Sequence, residues 1–212
     1  MRVLEGLSEK IPLMVKRLPL EGASAQPGSS TFQLASLLEQ FHRATRDVGK
    51  LAVGRTAGDL TSRLHPNAWS ATECLDHLAR TTLSFLPAIS RAIATAPVLT
   101  STRPLRTGAI TLLLIRNLEP PYRLRYNVIP QLAPQETDFE AARSNFEKSQ
   151  SRLSETVESA AGLAIDKVKV QCPVYARINY NAYGAFRMLA AHQRRHLWQM
   201  QQILAALDRT RL

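Results

Sequence analysis

Five histidines occur in the 212-residue sequence, and two of them, His192 and His196, stand four apart in the segment AAHQRRHLWQ. On an α-helix that spacing puts both imidazoles on one face, about 40° apart and one turn above the other, so the two rings can reach a common point. That is the geometry of a pair of metal ligands. It is not the zincin metalloprotease motif, because Gln193 stands where the general-base glutamate of HExxH would be. A three-imidazole site takes its third ligand from a facing helix of a bundle. His77, within WSATECLDHLA, lies about two turns into a helix that opens at Ser70 and is placed to meet the last helix. The competing reading is a histidine satisfied by a backbone carbonyl or by Glu73. His42 and His65 have no partner at ligand spacing and read as surface or loop residues.

The residues around these histidines offer further chemistry. Glu73 is one turn before His77 on the same face and can orient it or act as a catalytic base; its competing use is a capping box with Ser70. Asp76 points to another face. Arg80, about one turn beyond His77, and Arg195, beside the histidine face, are candidates for clamping a carboxylate of a substrate or thiol. Tyr180 and Tyr183, at the entrance of the last helix, are within reach of a bound ligand if they are not core. Trp69 and Trp198 read as bundle-end, core or interface packing, and Cys74 as a buried inert thiol.

Long helices must position these side chains. Ser30 with Gln33 makes a capping-box start, followed by Leu34, Leu37, Leu38 and Phe41 at helical spacing and by Gly54 as a stop. Ser70 with Glu73 opens a second helix, which Pro87 should bend or end. Gly108 to Asn117 predicts a short helix, after which Pro120, Pro121, Pro130 and Pro134 forbid a long one, so this stretch is a connecting excursion. Thr137 with Glu140 opens a third amphipathic helix, carrying Phe139, Ala142, Phe146, Leu153 and Val157 and closed by Gly162. Val168 to Val174 alternates weakly and reads as extended. Asn179 or Asn181 caps a last helix to about Leu207. No strand–helix alternation and no glycine-rich phosphate loop occurs, so Rossmann and P-loop readings have no support. The expected architecture is an all-α four-helix bundle over residues 30–212. Residues 1–29 read as an irregular arm and linker, with EGASAQPGSS at its end.

The pairing of WSATECLDHLA, Trp69 to Ala79, with AAHQRRHLWQMQQIL, Ala190 to Leu204, resembles the two signature segments of the DinB/YfiT-like superfamily, also described as metal-dependent hydrolases. PVYARINYNAYGAFRMLAAHQRRHLWQ is similar to that family's run into its last helix, and the resemblance covers about residues 30–208. It implies an up-down-down-up bundle with a long crossover connection, and a divalent metal, zinc or nickel, held by His77, His192 and His196. Three neutral imidazoles leave coordination positions open, where a divalent ion can lower the pKa of water from 15.7 toward about 7 or bind a thiolate. Characterised relatives include transferases and isomerases that use low-molecular-weight thiols, so the resemblance implies a hydrolase or thiol-dependent transferase acting on a small molecule. A non-catalytic dimeric binding protein of the same fold is the other reading.

Composition sets the outer limits. A chain of this size buries roughly 70% of its unfolded surface and needs no metal or disulfide merely to fold. Cys74 and Cys172, without CxxC spacing, read as reduced thiols. The longest apolar run, Ala109 to Ile115, falls well short of the roughly twenty residues of a spanning helix. The N-terminus lacks the order of a secretory signal, so a cytoplasmic protein without a membrane role is expected. Lys and Arg number 27 against 17 acids, a net +10. The basic residues are scattered as singles and pairs without aromatic interleaving, so nucleic acid is not the expected partner; a second copy of the chain is.

Overall fold

The computed structural model describes residues 26–101, 103–121, 128–175 and 177–210. Most of the expected N-terminal arm therefore lies outside the described residues. In chain order the elements are α1 (Ser30–Ala52), α2 (Ala57–Thr61), α3 (Ala71–Ala94), α4 (Ala109–Leu118), α5 (Phe139–Ser159), β1 (Lys169–Gln171), β2 (Asn179–Asn181) and α6 (Ala182–Arg209). The fold is all-α in character: four long helices, α1, α3, α5 and α6, with a two-stranded antiparallel ribbon in which Val170 pairs with Tyr180.

The apolar stripes decide how these helices run. One core cluster joins Leu34 to Phe41 of α1, Phe85 to Ile93 of α3, Leu153 and Val157 of α5 and the first half of α6. The other joins Ala44 and Val48 of α1, Ala71 to Ala79 of α3, Phe139 to Phe146 of α5 and Leu197 to Leu204 of α6. Thus α1 and α6 run from the first cluster to the second, while α3 and α5 run the opposite way. Two parallel neighbours, α3 and α5, need a long connection, and residues 95–138 with α4 supply it. Both α1 and α3 pack against both α5 and α6, so the two pairs take alternate corners of the bundle, and α4 lies on the outside against α6.

Several local expectations shift once packing is seen. The α1 cap is Ser29, which accepts from Phe32 N, rather than Ser30; Gln33 is instead spent on Leu105, accepting from its N–H at 2.7 Å and donating to its carbonyl. The α5 cap is Asp138, which accepts from Ala141 N at 2.7 Å, in place of Thr137 with Glu140. Pro87 neither ends nor divides α3, which continues to Ala94. Both Pro87 and Leu83 are exposed, so the hydrogen bond that the proline cannot make falls on the outer face of α3. The Ser70–Glu73 capping box is formed in full, and Asn181 caps α6 through Gly184 N at 2.7 Å.

Candidate metal centre

The opposed directions of α3 and α6 bring the first third of one beside the middle of the other, and His77, His192 and His196 meet there. One imidazole nitrogen from each lies within 4.8 Å of the others. His77 Nε2 is 3.3 Å from His192 Nε2, and the ring centroids are 4.6 to 5.1 Å apart. Two nitrogens bound at about 2.0–2.1 Å to one tetrahedral ion stand about 3.3–3.4 Å apart, so this spacing suits a shared ion.

The ring of His77 is oriented from outside the bundle. Its Nδ1–H donates to the Leu132 carbonyl at 2.7 Å, which leaves the Nε2 lone pair facing the other two rings. Leu132 belongs to a single 3-10 turn, Pro130–Leu132, in the crossover. Two more side chains of α3 hold the same stretch: Asp76 accepts from Gln135 N at 2.9 Å and Arg80 donates to the Gln131 carbonyl at 3.0 Å. The carbonyl partner and the ligand role are therefore compatible for His77, each taking one nitrogen.

Burial holds all three imidazoles in the neutral form. It lowers the pKa of His192 and His196 well below the ordinary histidine value, and the charges of the neighbouring histidines and of Arg195 push the same way. The His77 pKa is also lowered, by burial first, against the opposing pull of the Leu132 carbonyl and Asp76. Neutral imidazoles keep the lone pairs that a cation needs. His196 Nδ1 is buried with no hydrogen-bond partner among the described residues, an orphan polar atom of the kind a bound ion or its ligands would satisfy. The donor set and its protonation fit a divalent metal.

The remaining candidates fall in different places. Glu73 has its carboxylate taken up by two oxygen–nitrogen contacts from Arg63 and by Ser70 N at 2.8 Å, which is the capping use. Arg80 lies beside His77, with its Nε buried and unpartnered among the described residues. Arg195 is buried, reaches the Asn117 carbonyl of α4 at 3.4 Å and bears electrostatically on both His192 and His196. Tyr183 lines a different cavity, between α1, α4 and α6. Cys74 is fully buried, which raises its thiol pKa far above the ordinary value, and it is outside the histidine group. His42 and His65 are exposed.

Trp69 does more than the packing expected of it. Its half-buried ring lies 4.9 Å from His77 and stacks at 24° on His196, 5.8 Å away, forming a wall of the site. The legible signal was its place just before the Ser70 cap, where an apolar residue folds back onto its helix. Leu132 gave no signal, because its contribution is a backbone carbonyl.

A family model of the DinB superfamily matches residues 40–200. The chain belongs to the DinB superfamily. The match takes in all three histidines of this DinB-like bundle and the crossover that orients His77. No curated protein and no solved structure matches the chain.

Proposed function

We propose that this DinB-like protein holds a divalent metal, zinc or nickel, through His77, His192 and His196, and acts on a small molecule as a hydrolase or low-molecular-weight-thiol-dependent transferase. One observation carries the reading: three neutral imidazole nitrogens converge within 4.8 Å on helices whose packing forces them together. When bound, the ion supplies Lewis acidity toward water or a thiol. The chain's own residues supply the rest. The Leu132 carbonyl fixes the His77 tautomer, so no proton need be moved before the ring serves as a ligand. Trp69 covers one side of His77 and His196 and keeps water from that side. Arg80, steadied by the Gln131 carbonyl, offers a cation for the carboxylate of a substrate or thiol, and Arg195 adds positive potential from the α4 side.

The reaction class is read by supplying full-length protein, loaded with zinc or nickel, with small electrophiles in the presence and absence of thiols such as cysteine and glutathione. Turnover that requires the thiol selects transfer, and turnover without it selects hydrolysis. Loss of turnover in Arg80→Gln, with metal content retained, assigns Arg80 to the substrate. A second reading, a non-catalytic binding protein of the same fold, is favoured by the engagement of Glu73 with Arg63 and Ser70, which withholds the nearest carboxylate base. Absence of turnover with a fully loaded site supports it.

A homodimer belongs to the same proposal. Ile110 and Leu113 on α4 are 69% and 62% exposed and form an apolar face. Light scattering is expected to give a dimer that Leu113→Lys converts to a monomer; a monomeric wild-type chain contradicts it.

A further inference from the structure

The other side of α6 carries a second cluster of charged and aromatic groups. At about 100° per residue, Tyr183, Arg187 and Arg194 lie about 180–220° around the helix from His192, so they face away from the histidines. Together with α1 and α4 they line a cavity of about 360 Å³. Its charges are not balanced. Arg194 is paired with Glu119 through two contacts, Nε to Oε2 at 3.0 Å being one, and also donates to Gln40 Oε1 at 2.6 Å. Arg187 donates to the Thr107 hydroxyl at 2.8 Å and lies over the Tyr183 ring at 5.9 Å. Among the described residues it has no carboxylate partner. The cavity therefore holds two guanidinium groups and one carboxylate, a net charge of +1, set between the apolar side chains of Leu37 and Ile115.

We propose that this cavity is a second ligand site, taking a small organic carboxylate with an apolar or aromatic body. Arg187 is the anion-binding group: its guanidinium is held from one side by Thr107 and from below by Tyr183, which leaves further N–H donors for a planar, bidentate partner. The volume is at the lower end of the range for small-molecule pockets, so the ligand is small. The neutral Arg194–Glu119–Gln40 wall supplies fixed donors and acceptors for a polar substituent, and Leu37 with Ile115 takes the body. Because the site is built from α1, α4 and α6, its occupant clips the crossover helix to the bundle. It does not depend on the histidine reading.

The test is a titration of the full-length protein with benzoate and hexanoate beside benzamide and hexanamide, which keep the shape and remove the charge, read by calorimetry and by the shift in melting temperature. The carboxylates are expected to bind and raise the melting temperature, and the amides to bind about tenfold or more weakly. Arg187→Gln should abolish the difference between acid and amide. Ser36 lines the mouth and is exposed, so Ser36→Trp should block the cavity without disturbing the core, which guards against a misfolded Arg187 variant. His192→Ala should bind as the wild type does. Equal binding of acids and amides, no binding of either, unchanged carboxylate binding in Ser36→Trp, or loss of binding in His192→Ala overturns the proposal.

Discussion

Gln150 and Gln193 face each other across the interior in a reciprocal amide pair, at 3.1 and 2.8 Å, with Gln150 also donating to the Phe41 carbonyl at 3.0 Å. Both are buried, so each amide depends on the other for its hydrogen bonds. Gln150→Leu should cost about 1–3 kcal/mol by leaving Gln193 unpaired, while the double variant with Gln193→Leu should cost clearly less than the sum of the singles. Urea unfolding of the four proteins measures this coupling, and strict additivity would refute it. The pair also shows what was readable residue by residue. The absence of a glutamate at position 193 excluded a zincin from the letters alone, but the inward use of Gln193 needed its partner 43 positions away. The convergence of His192 and His196 follows from helical spacing. The orienting carbonyl of Leu132 and the wall formed by Trp69 do not, because both depend on how the crossover and the α3 N-terminus settle against the bundle.

At the scale of elements, α4 rests on α6 where both surfaces are small. A Cβ at Gly184 would stand 2.9 Å from Asn181 Oδ1 and 3.1 Å from the Thr111 methyl group, so one substitution would press on both the α6 cap and the α4 contact. Gly184→Ala is therefore expected to lose about 1–3 kcal/mol and a few degrees of melting temperature, despite the better helix propensity of alanine. A neutral or stabilising outcome in thermal unfolding would show that α4 is not packed closely here. The long helices were legible because three or more turns repeat the apolar stripe often enough to read. By contrast α2, five residues long and capped by Thr56 with Asp59, and the three-residue strands β1 and β2 are too short for a period to show. The caps at Ser29 and Asp138 lay one residue from the expected positions, since adjacent residues with similar hydrogen-bonding side chains compete for the same role and tertiary contacts choose between them.

The whole molecule is organised as two apolar clusters with a polar level between them, where Thr81 and Thr82, Ser149 and Gln150, and His192 and Gln193 fall at matching heights on α3, α5 and α6. The crossover is tied back to the far side of the bundle by Asp166, whose side chain is 2% exposed and accepts from Arg103 at 2.7 and 2.9 Å and from Arg106 N at 3.2 Å. Burial works to raise the Asp166 pKa, but the Arg103 and Arg106 hydrogen bonds and the nearby cationic charges outweigh it and hold it below the ordinary value. A depressed carboxylate contributes stability that is complete above its unfolded pKa, about 3.9, and is lost as the pH falls through the folded value. Asp166→Asn should therefore be less stable than wild type by about 1–2 kcal/mol near pH 7, with the gap closing as the pH falls below the unfolded carboxylate value of about 3.9. A gap that does not change with pH, followed by denaturant unfolding, would contradict this.

No helix among the described residues is long and apolar enough to cross a membrane, and the architecture serves instead to bring His77 of α3 against His192 and His196 of α6. That convergence is tested most directly by elemental analysis of untagged, full-length protein after exposure to zinc or nickel, beside His77→Ala and His192→Ala. About one divalent ion per chain is expected, lost in both variants while their helical circular dichroism is kept. A native protein that takes up no metal, or variants that retain it, would contradict a three-histidine centre.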